Sequence, residues 1–306
     1  MTLNRKFVLD NRPKTAASAD NFRMIEETLP ALQDGQVLIR HHYPSLDPYM
    51  RGRMNDTKSY AQPQALGQVM IGGTVGEVVE SRCDKFRVGD HVVGMGGWQL
   101  YSIVDGHLPG AIRKVDTRQV PISHYLGAVG SAFGALAKAR GCRVVGIAGG
   151  QEKCDYVVNT LGFDACIDYK QHADAVSLSR ALHAACPNGI DGHFENVGGK
   201  VLDAVMLRTN AFARIAVCGM IAGYDGVPLP MAYPALILVN RLKVEGFIVS
   251  EHMDVWPAAL QELGQLVGSG QFRPRETVAE GLDSAPEAFL GLLKGRNFGK
   301  QLVKLI

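Results

Sequence analysis

The chain has 306 residues, and its 46% hydrophobic and 20% charged content is ordinary for a soluble globular protein. This length suffices for two domains that each bury their own core. The formal charge of +2 arises from 32 basic and 30 acidic residues mixed along the chain, which excludes an obvious nucleic-acid-binding surface. No apolar stretch approaches the roughly 18 residues of a membrane span, and the start lacks an apolar signal segment. We therefore predict a cytoplasmic protein with no membrane partner.

The cysteines are scattered, with no C-x-x-C pair and no matching histidine spacing. Such a distribution predicts reduced thiols, and it argues against a disulfide framework and a structural zinc. We therefore predict no metal site. The cysteines are Cys83, Cys142, Cys154, Cys166, Cys186 and Cys218.

Short strand-like runs at residues 36–40, 69–79 and 90–95 alternate with glycines and polar turns. This pattern predicts a compact, β-rich N-terminal domain. Its glycines stand where strands bend sharply or pass close to each other.

A dense charged and aromatic group, SLDPYMRGRM, occupies residues 45–54 between two of these strands. Loops on a rigid β scaffold often contact ligands, so Tyr49 and Arg51 are candidates for the wall of a site. The alternative is a turn whose geometry is set by Asp47 and Pro48, with Arg51 paired locally.

Residues 127–153 predict a phosphate-binding turn, a helix, a strand and a second, basic turn. Gly127 and Gly130 have the spacing of the later part of a G-x-G-x-x-G fingerprint, in which the backbone approaches a pyrophosphate at a helix N-terminus. Alternatively, these small residues only allow a core helix to pack closely.

The second turn bears on the choice of cofactor. An NAD site would place Asp or Glu about 20 residues after the glycines, to bind the ribose hydroxyls. This chain has Ala148, Gly149 and Gly150 there, followed by Lys153. A neutral turn with a nearby cation favours NADP, although Lys153 could equally be a solvated helix residue.

From residue 127 onward, helices and strands alternate, which predicts a parallel sheet with crossover helices. The predicted strands are 144–148, 165–169, 190–195, 213–220 and 241–249, and the helices are 152–161, 173–185, 201–207, 256–267 and 286–293. Ligands of such sheets bind beyond the carboxyl ends of the strands, where Asn196, Gly198, Gly219 and Ile221 would lie. Each of these residues could instead only form its turn. A final strand in GRNFGKQLVKLI would return to the first domain and place Asn297 near a cleft between domains.

One expected element is not visible. A glycine fingerprint should follow a buried strand, but residues 115–126, VDTRQVPISHYL, contain Asp116, Arg118 and Pro121 and no sustained apolar run.

Together, these motifs resemble the zinc-independent medium-chain dehydrogenase/reductases, in the group of NADPH-dependent alkenal/one oxidoreductases that includes leukotriene B4 dehydrogenase/prostaglandin reductase and bacterial curcumin reductase. The resemblance covers nearly the full chain. The matching segments are SLDPYMRGRM, VMIGGTVGEVVES, GDHVVG, GAVG, KARGCRVVGIAGGQEKC, LGFDACIDYK, FENVGGKVLDAV, RIAVCGMI, EGFIVSEH and GLLKGRNFGKQLVK.

The resemblance implies an α/β protein with a GroES-like β-rich catalytic domain and a Rossmann domain with a doubly wound parallel sheet. The active site of such proteins lies between the two domains. We expect the catalytic domain at residues 1–122, the NADP-binding domain at 123–252 and a return to the catalytic domain at 253–306. We also expect a homodimer.

Residue by residue, the resemblance makes Gly127 and Gly130 neighbours of the pyrophosphate, and Lys153 and Tyr169 contacts of the NADP 2'-phosphate. Tyr49 would stand beside the nicotinamide and the substrate, as a candidate for the hydroxyl near the oxyanion; solvent or the cofactor ribose are the alternatives. The remaining cofactor contacts would be Asn196, Cys218, Gly219, Ile221, Phe247, Val249 and Asn297.

This chain departs from the family's pattern in two places. Before the glycine turn the family has a helix with a PGxTAxxGL-like sequence and a strand with a VVVSAAA-like sequence, and this chain lacks both. The missing few tens of residues include the first Rossmann strand. Either the protein has this segment and the present sequence omits it, or the chain is a deletion variant with impaired function. Ser250 stands where several eukaryotic relatives have a Tyr near the substrate.

The resemblance implies an NADPH-dependent oxidoreductase that reduces the C=C bond of α,β-unsaturated aldehydes or ketones, by hydride transfer to the β-carbon. Its partners would be small-molecule enones or quinones. The alternatives are a quinone reductase and a nucleotide-binding relative whose catalysis the deletion impairs.

Overall fold

The computed structural model describes residues 2–118, 120–126 and 129–306. The chain forms two compact units. The first, which we call the β-rich unit, comprises the described residues of Met1–Ala128 together with Pro274–Ile306. The second, the α/β unit, is Val129–Arg273. The chain thus changes unit at 128/129 and 273/274, whereas the sequence placed boundaries after residues 122 and 252.

The strands and helices are numbered in chain order. The strands are β1 (Leu3–Leu9), β2 (Phe22–Thr28), β3 (Gln36–Leu46), β4 (Thr74–Ser81), β5 (His91–Gly94), β6 (Tyr101–Asp105), β7 (Ile112–Lys114), β8 (Val145–Ala148), β9 (Ala165–Asp168), β10 (Ile190–Glu195), β11 (Thr209–Val217), β12 (Lys243–Gly246), β13 (Glu276–Glu280) and β14 (Lys300–Lys304). The helices are α1 (Tyr49–Arg53), α2 (Val129–Ala139), α3 (Gln151–Asn159), α4 (Ala175–Ala185), α5 (Lys200–Met206), α6 (Ala235–Val239), α7 (Trp256–Gly268) and α8 (Ala285–Leu293). Among the described residues, no helix is long and apolar enough to cross a membrane.

The β-rich unit is built on a sheet with the order β13-β14-β3-β4-β5-β7, in which β6 also pairs with β3. Strands β3 and β4 can pass close together because Gly76 has no side chain; a Cβ atom there would overlap the carbonyl oxygen of Arg40. The last strand, β14, pairs antiparallel with β3. A core beside the sheet contains Trp98 and Phe289, whose ring centroids lie 5.4 Å apart.

The α/β unit contains two separate parallel sheets, β8-β9 and β10-β11-β12. A doubly wound sheet has the strand order 3-2-1-4-5-6. The two-stranded sheet β9-β8 corresponds to strands 3-2 of this order, and the three-stranded sheet β10-β11-β12 corresponds to strands 4-5-6. The strand that is absent is therefore strand 1. Within the described residues, no strand pairs with the second edge of either β8 or β10.

Helices connect the two sheets of the α/β unit. One apolar cluster joins Ile167 of β9 to Leu178 and Leu182 of α4 and to Val205 of α5. Helix α4 begins at a capping box in which Asp174 accepts the Ser177 backbone N–H at 2.7 Å. Burial between helices thus holds the unit together where strand pairing does not.

The predicted fold class is confirmed, and most predicted elements are present with shifted ends. Strand β10 has its predicted bounds. The strand predicted at 241–249 is shorter because the chain turns into a 3-10 helix at Val249–Glu251. The strand predicted at 69–79 begins only at Thr74.

Candidate functional site

The carboxyl ends of β8 and β9 form a tightly bonded turn. The chain leaves β8 through Gly149 and Gly150, and Gly150 has a φ of 109°, which favours glycine. Its N–H donates to Oδ1 of Asp168 at 2.8 Å. A Cβ on Gly149 would lie 2.9 Å from the ring of Tyr169, so the glycine lets that ring cover the turn.

Asp168 organises this end of the sheet, a role that the sequence analysis missed. Its carboxylate also accepts the backbone N–H of Lys170 at 3.0 Å. The N–H of Gly150, followed by that of Lys170, holds the pKa of Asp168 below its usual value despite the opposing effect of burial. A carboxylate used in this way shapes the backbone. The signal in the sequence that could have identified Asp168 was its position at the carboxyl end of β9.

Three lysines give this end of the sheet a positive charge. Burial lowers the pKa of Lys153, and the positive charge of Lys170 lowers it further. Nζ of Lys200 lies 5.7 Å from the centroid of the Tyr169 ring. Like charges held near each other favour a bound anion, and the neutral glycine turn leaves room for one. The structure therefore brings Lys153 and Tyr169, both predicted, together with Lys170.

The carboxyl ends of β10 and β11 form a second group. The backbone N–H groups of Cys218 and Gly219 donate to the Glu195 carbonyl at 2.9 and 3.1 Å, and Ile221 donates to the Asn196 carbonyl at 3.1 Å. Burial raises the pKa of the Cys218 thiol. Four of the predicted cofactor residues thus lie along one strand edge.

Glu195 is a further residue that the sequence analysis missed. It is 1% exposed, and its Oε1 accepts the N–H groups of Val197 and of Gly198, the latter at 3.0 Å. Oε2 contacts His193 Nε2 at 3.0 Å. The buried carboxylate is therefore satisfied on both oxygens and fixes the glycine turn after β10.

Aromatic side chains line the same sheet. The ring of Phe194 in β10 stacks on Phe133 of α2 at 4.5 Å between centroids, and lies 6.1 Å from the ring of Phe247. The Phe247 N–H donates to the Val217 carbonyl at 3.3 Å. Val249 is 58% exposed. Phe247 thus lies on the strand edge, and Val249 follows on the surface.

The predicted glycine turn is only partly described. Gly127 lies outside the described residues. Gly130 is in the first turn of α2, and a Cβ there would meet nothing within 4 Å. Open space at this position is compatible with a ligand approaching the helix start.

Tyr49 and Asn297 belong to the β-rich unit. Tyr49 begins α1, two residues after Asp47, whose carboxylate accepts hydrogen bonds from the Ser45 hydroxyl and from Lys300 Nζ. Burial, together with the Asp47 charge, raises the pKa of the Tyr49 hydroxyl above its ordinary value. Like an ordinary tyrosine, Tyr49 keeps its proton at neutral pH and can donate a hydrogen bond. The Asn297 amide donates to the Gly299 carbonyl at 2.7 Å.

Arg51 is held by partners within the β-rich unit. It is 1% exposed, and its guanidinium donates to Asn55 Oδ1 at 2.7 Å and to the Thr15 carbonyl at 2.6 Å. The bond to Asn55 is the local pairing that the sequence left open, whereas the bond to Thr15 reaches a segment that is distant in the chain.

Comparison with known proteins identifies the family. The family models described as "N-terminal domain of oxidoreductase" and "Zinc-binding dehydrogenase" match residues 5–112 and 128–265. The chain is 40% identical to NADPH-dependent curcumin reductase of Escherichia coli, over 99% of this chain and 97% of that protein. It is 38% identical to a 2-alkenal reductase (NADP(+)-dependent) of Nicotiana tabacum, over 87% and 86%. The chain belongs to the zinc-independent medium-chain dehydrogenase/reductases. Within them it is an oxidoreductase of the NADPH-dependent group that includes curcumin, 2-alkenal and prostaglandin reductases.

A solved structure of this family agrees with the fold. The crystal structure of CurA from Vibrio vulnificus in complex with NADPH is 39% identical, with a TM-score of 0.90, over 99% of each chain. The two-domain architecture predicted from the sequence is therefore confirmed.

The alignment with the curcumin reductase also contains gaps in this chain. The alignment with the curcumin reductase extends over 338 positions, whereas this chain has 306 residues. Subtracting 306 from 338 leaves at least 32 positions without a residue of this chain. This number is similar to the few tens of residues that the sequence predicts to be absent.

Proposed function

We propose that this protein is an NADPH-dependent reductase of α,β-unsaturated aldehydes and ketones, which transfers a hydride to the β-carbon of the C=C bond. The proposal rests on one observation, the near full-length similarity to an NADP(+)-dependent 2-alkenal reductase and to an NADPH-dependent curcumin reductase. Both relatives are reductases by name, and the first is named for an alkenal.

The residues at the carboxyl ends of the strands fit NADPH. Lys153, Lys170 and Tyr169 would bind the 2'-phosphate, because they combine positive charge with a neutral glycine turn. The rest of the cofactor would be lined by residues at the carboxyl ends of the next strands, namely Asn196, Cys218, Gly219, Ile221, Phe247 and Val249. We propose Asn297 of the β-rich unit as a further contact.

In this proposal the protein binds and orients the reactants and stabilises developing charge, while NADPH, when bound, supplies the hydride. As negative charge develops on the substrate's carbonyl oxygen, a fixed donor lowers the barrier. Tyr49 is our candidate for that donor, because its phenol carries a proton at neutral pH and stands at the start of α1, two residues after Asp47. The Lys300–Asp47–Ser45 network would fix the start of α1 and hence the position of the hydroxyl.

The divided sheet favours one alternative, a relative that binds nucleotide weakly and reduces its substrate slowly. A central strand of a doubly wound sheet supports both of its neighbours and the ligand-binding edge. A quinone is the alternative acceptor. It would change the substrate and leave the hydride donor unchanged.

The test uses protein whose intact mass matches the 306-residue sequence. Oxidation of NADPH is followed with a simple enone and with a quinone, and NADPH binding is measured separately by calorimetry. We expect faster turnover with the enone. Binding without turnover of either acceptor would refute the proposed reaction, and a higher rate with the quinone would replace the substrate class. Absence of binding would favour the impaired relative. The cytoplasmic location and the homodimer stay predictions, which cell fractionation and light scattering can test.

A further inference from the structure

Cys83, Asp84 and His107 form a cluster on the β-rich unit. Cys83 and Asp84 follow β4, and His107 follows β6. Cys83 Sγ lies 3.8 Å from His107 Nε2 and 3.9 Å from Asp84 Oδ1. Asp84 Oδ1 lies 3.8 Å from the same histidine nitrogen. Within the described part of the chain, no other group of three His, Cys, Asp or Glu side chains has ligand atoms that converge in this way.

The three atoms have the separations that a small cation requires. They form a nearly equilateral triangle, and the point equidistant from its corners lies about 2.2 Å from each atom. Zinc binds Cys sulfur at about 2.3 Å, His nitrogen at about 2.0–2.1 Å and carboxylate oxygen at about 2.0–2.2 Å. A cation near this point could therefore reach all three atoms after shifts of a few tenths of an ångström.

The arrangement fits a cation better than an activated thiol. In a nucleophile–histidine–carboxylate triad, the thiol and the carboxylate contact opposite nitrogens of the imidazole ring. Here Cys83 and Asp84 both approach Nε2 of His107. A proton relay through the ring is thus not formed, whereas convergence on one point is what metal ligands share.

The surrounding backbone makes room for these ligands. A Cβ on Gly106 would lie 2.7 Å from Cys83 Sγ, and one on Gly35 would lie 3.0 Å from Cδ2 of His107. The loops are also bonded to each other, because the Gly106 N–H donates to the Gly35 carbonyl at 2.9 Å and Gly35 donates to the Arg82 carbonyl at 2.8 Å. The two glycines thus allow a close approach that any larger residue would prevent.

We propose that Cys83, Asp84 and His107 bind a divalent cation of the zinc type, with water completing the coordination. Thiolate and imidazole ligands select zinc over magnesium or calcium. Cys83 is 7% exposed, whereas the side chains of His107 and Asp84 are 50% and 84% exposed, so water can reach the fourth position.

This cation would connect loops and would not take part in hydride transfer. Cys83 packs in a cluster with Val37, Val78 and Phe86, whereas Tyr49 packs against a different cluster of the same unit. The predicted consequence is a more stable β-rich unit when the metal is bound.

The test uses the full chain, stripped with a chelator and titrated with Co²⁺. We expect one equivalent to produce a thiolate-to-cobalt charge-transfer band in the near ultraviolet and visible bands typical of four-coordinate cobalt, both of which Zn²⁺ removes by competition. Cys83→Ser should eliminate the charge-transfer band. His107→Gln and Asp84→Asn should each weaken binding at least tenfold, since even outer-sphere partners of a metal contribute 10- to 100-fold.

Cys142→Ser is the matched control, because Cys142 is an exposed cysteine of the α/β unit. It should leave the spectrum and the affinity unchanged. His107 and Asp84 lie largely on the surface, so their variants should fold, which circular dichroism checks. A charge-transfer band that persists in Cys83→Ser, or an affinity that neither His107→Gln nor Asp84→Asn changes, would overturn the proposal. So would purely six-coordinate, multi-site cobalt binding.

Discussion

Replacing Lys153 by alanine tests whether the ends of β8 and β9 recognise the 2'-phosphate. A phosphate at neutral pH has a charge of about −1.5 to −2, and a hydrogen bond to a charged group contributes about 1.5–3 kcal/mol. Lys153 is half-buried, so we expect Lys153→Ala to weaken NADPH binding roughly 10- to 100-fold. Lys170 is exposed, and its screened contact should contribute only about 0.2–1 kcal/mol, a few-fold.

The measurement is calorimetric titration of each variant with NADPH and with NADH. Because the two cofactors differ only in the 2'-phosphate, the ratio of their dissociation constants isolates its recognition. Lys243→Ala is the matched control: Lys243 lies at the amino end of β12 and pairs with Glu245 at 2.7 Å, away from the ligand edge of the sheet. It should leave the ratio unchanged.

Two results would refute this reasoning. If Lys153→Ala weakens NADPH and NADH equally, Lys153 supports the fold or another part of the cofactor. If it changes neither constant, Lys153 is the solvated helix residue that the sequence left as an alternative.

Other predictions concern single residues. Tyr49→Phe should lower kcat for enone reduction about 100-fold, because the loss of one oxyanion donor has an effect of this size. The NADPH affinity should stay unchanged. An unaltered kcat would exclude Tyr49 as the oxyanion donor. Gly134→Ala should lower the free energy of unfolding by about 1–3 kcal/mol, because the added Cβ would overlap the ring of Phe163. Gly130→Ala is the control and should not destabilise the protein, since a Cβ there would meet no atom within 4 Å. Urea denaturation compares the two variants. Burial, with a smaller effect of the neighbouring His42 charge, lowers the pKa of His41 from 6.5 to about 3. As the pH decreases, the His41 side chain therefore binds a proton in the unfolded chain before it does so in the folded chain. The free energy of unfolding should consequently fall as the pH decreases from 6.5 towards 3. Between pH 6.5 and 4.5 this loss should be about 2–3 kcal/mol, and it should be absent in His41→Gln.

The sequence predicts best the features that depend on local pattern. Alternating apolar runs and glycine turns located β10 at its observed bounds, and the absence of an acidic residue after Ala148 indicated a neutral turn. Contacts between distant segments have no such signal. Asp47 and Lys300 are 253 residues apart, and their pairing requires β14 to lie beside β3. Cys83 and His107 likewise match no ligand spacing, and only the fold brings them together.

The two ends of the proposed cofactor site depend differently on the absent strand. Lys153 and Tyr169 are positioned by the pairing of β8 with β9 and by the Asp168 hydrogen bonds, all of which are present. The start of α2, with Gly130, would follow the first strand directly and has no such partner strand among the described residues. The chain should therefore distinguish NADPH from NADH while binding both more weakly than a relative with a continuous sheet. Supplying the family's helix and strand before Gly127 should then raise the affinity for both cofactors by a similar factor, because the added contacts are to the pyrophosphate and not to the 2'-phosphate.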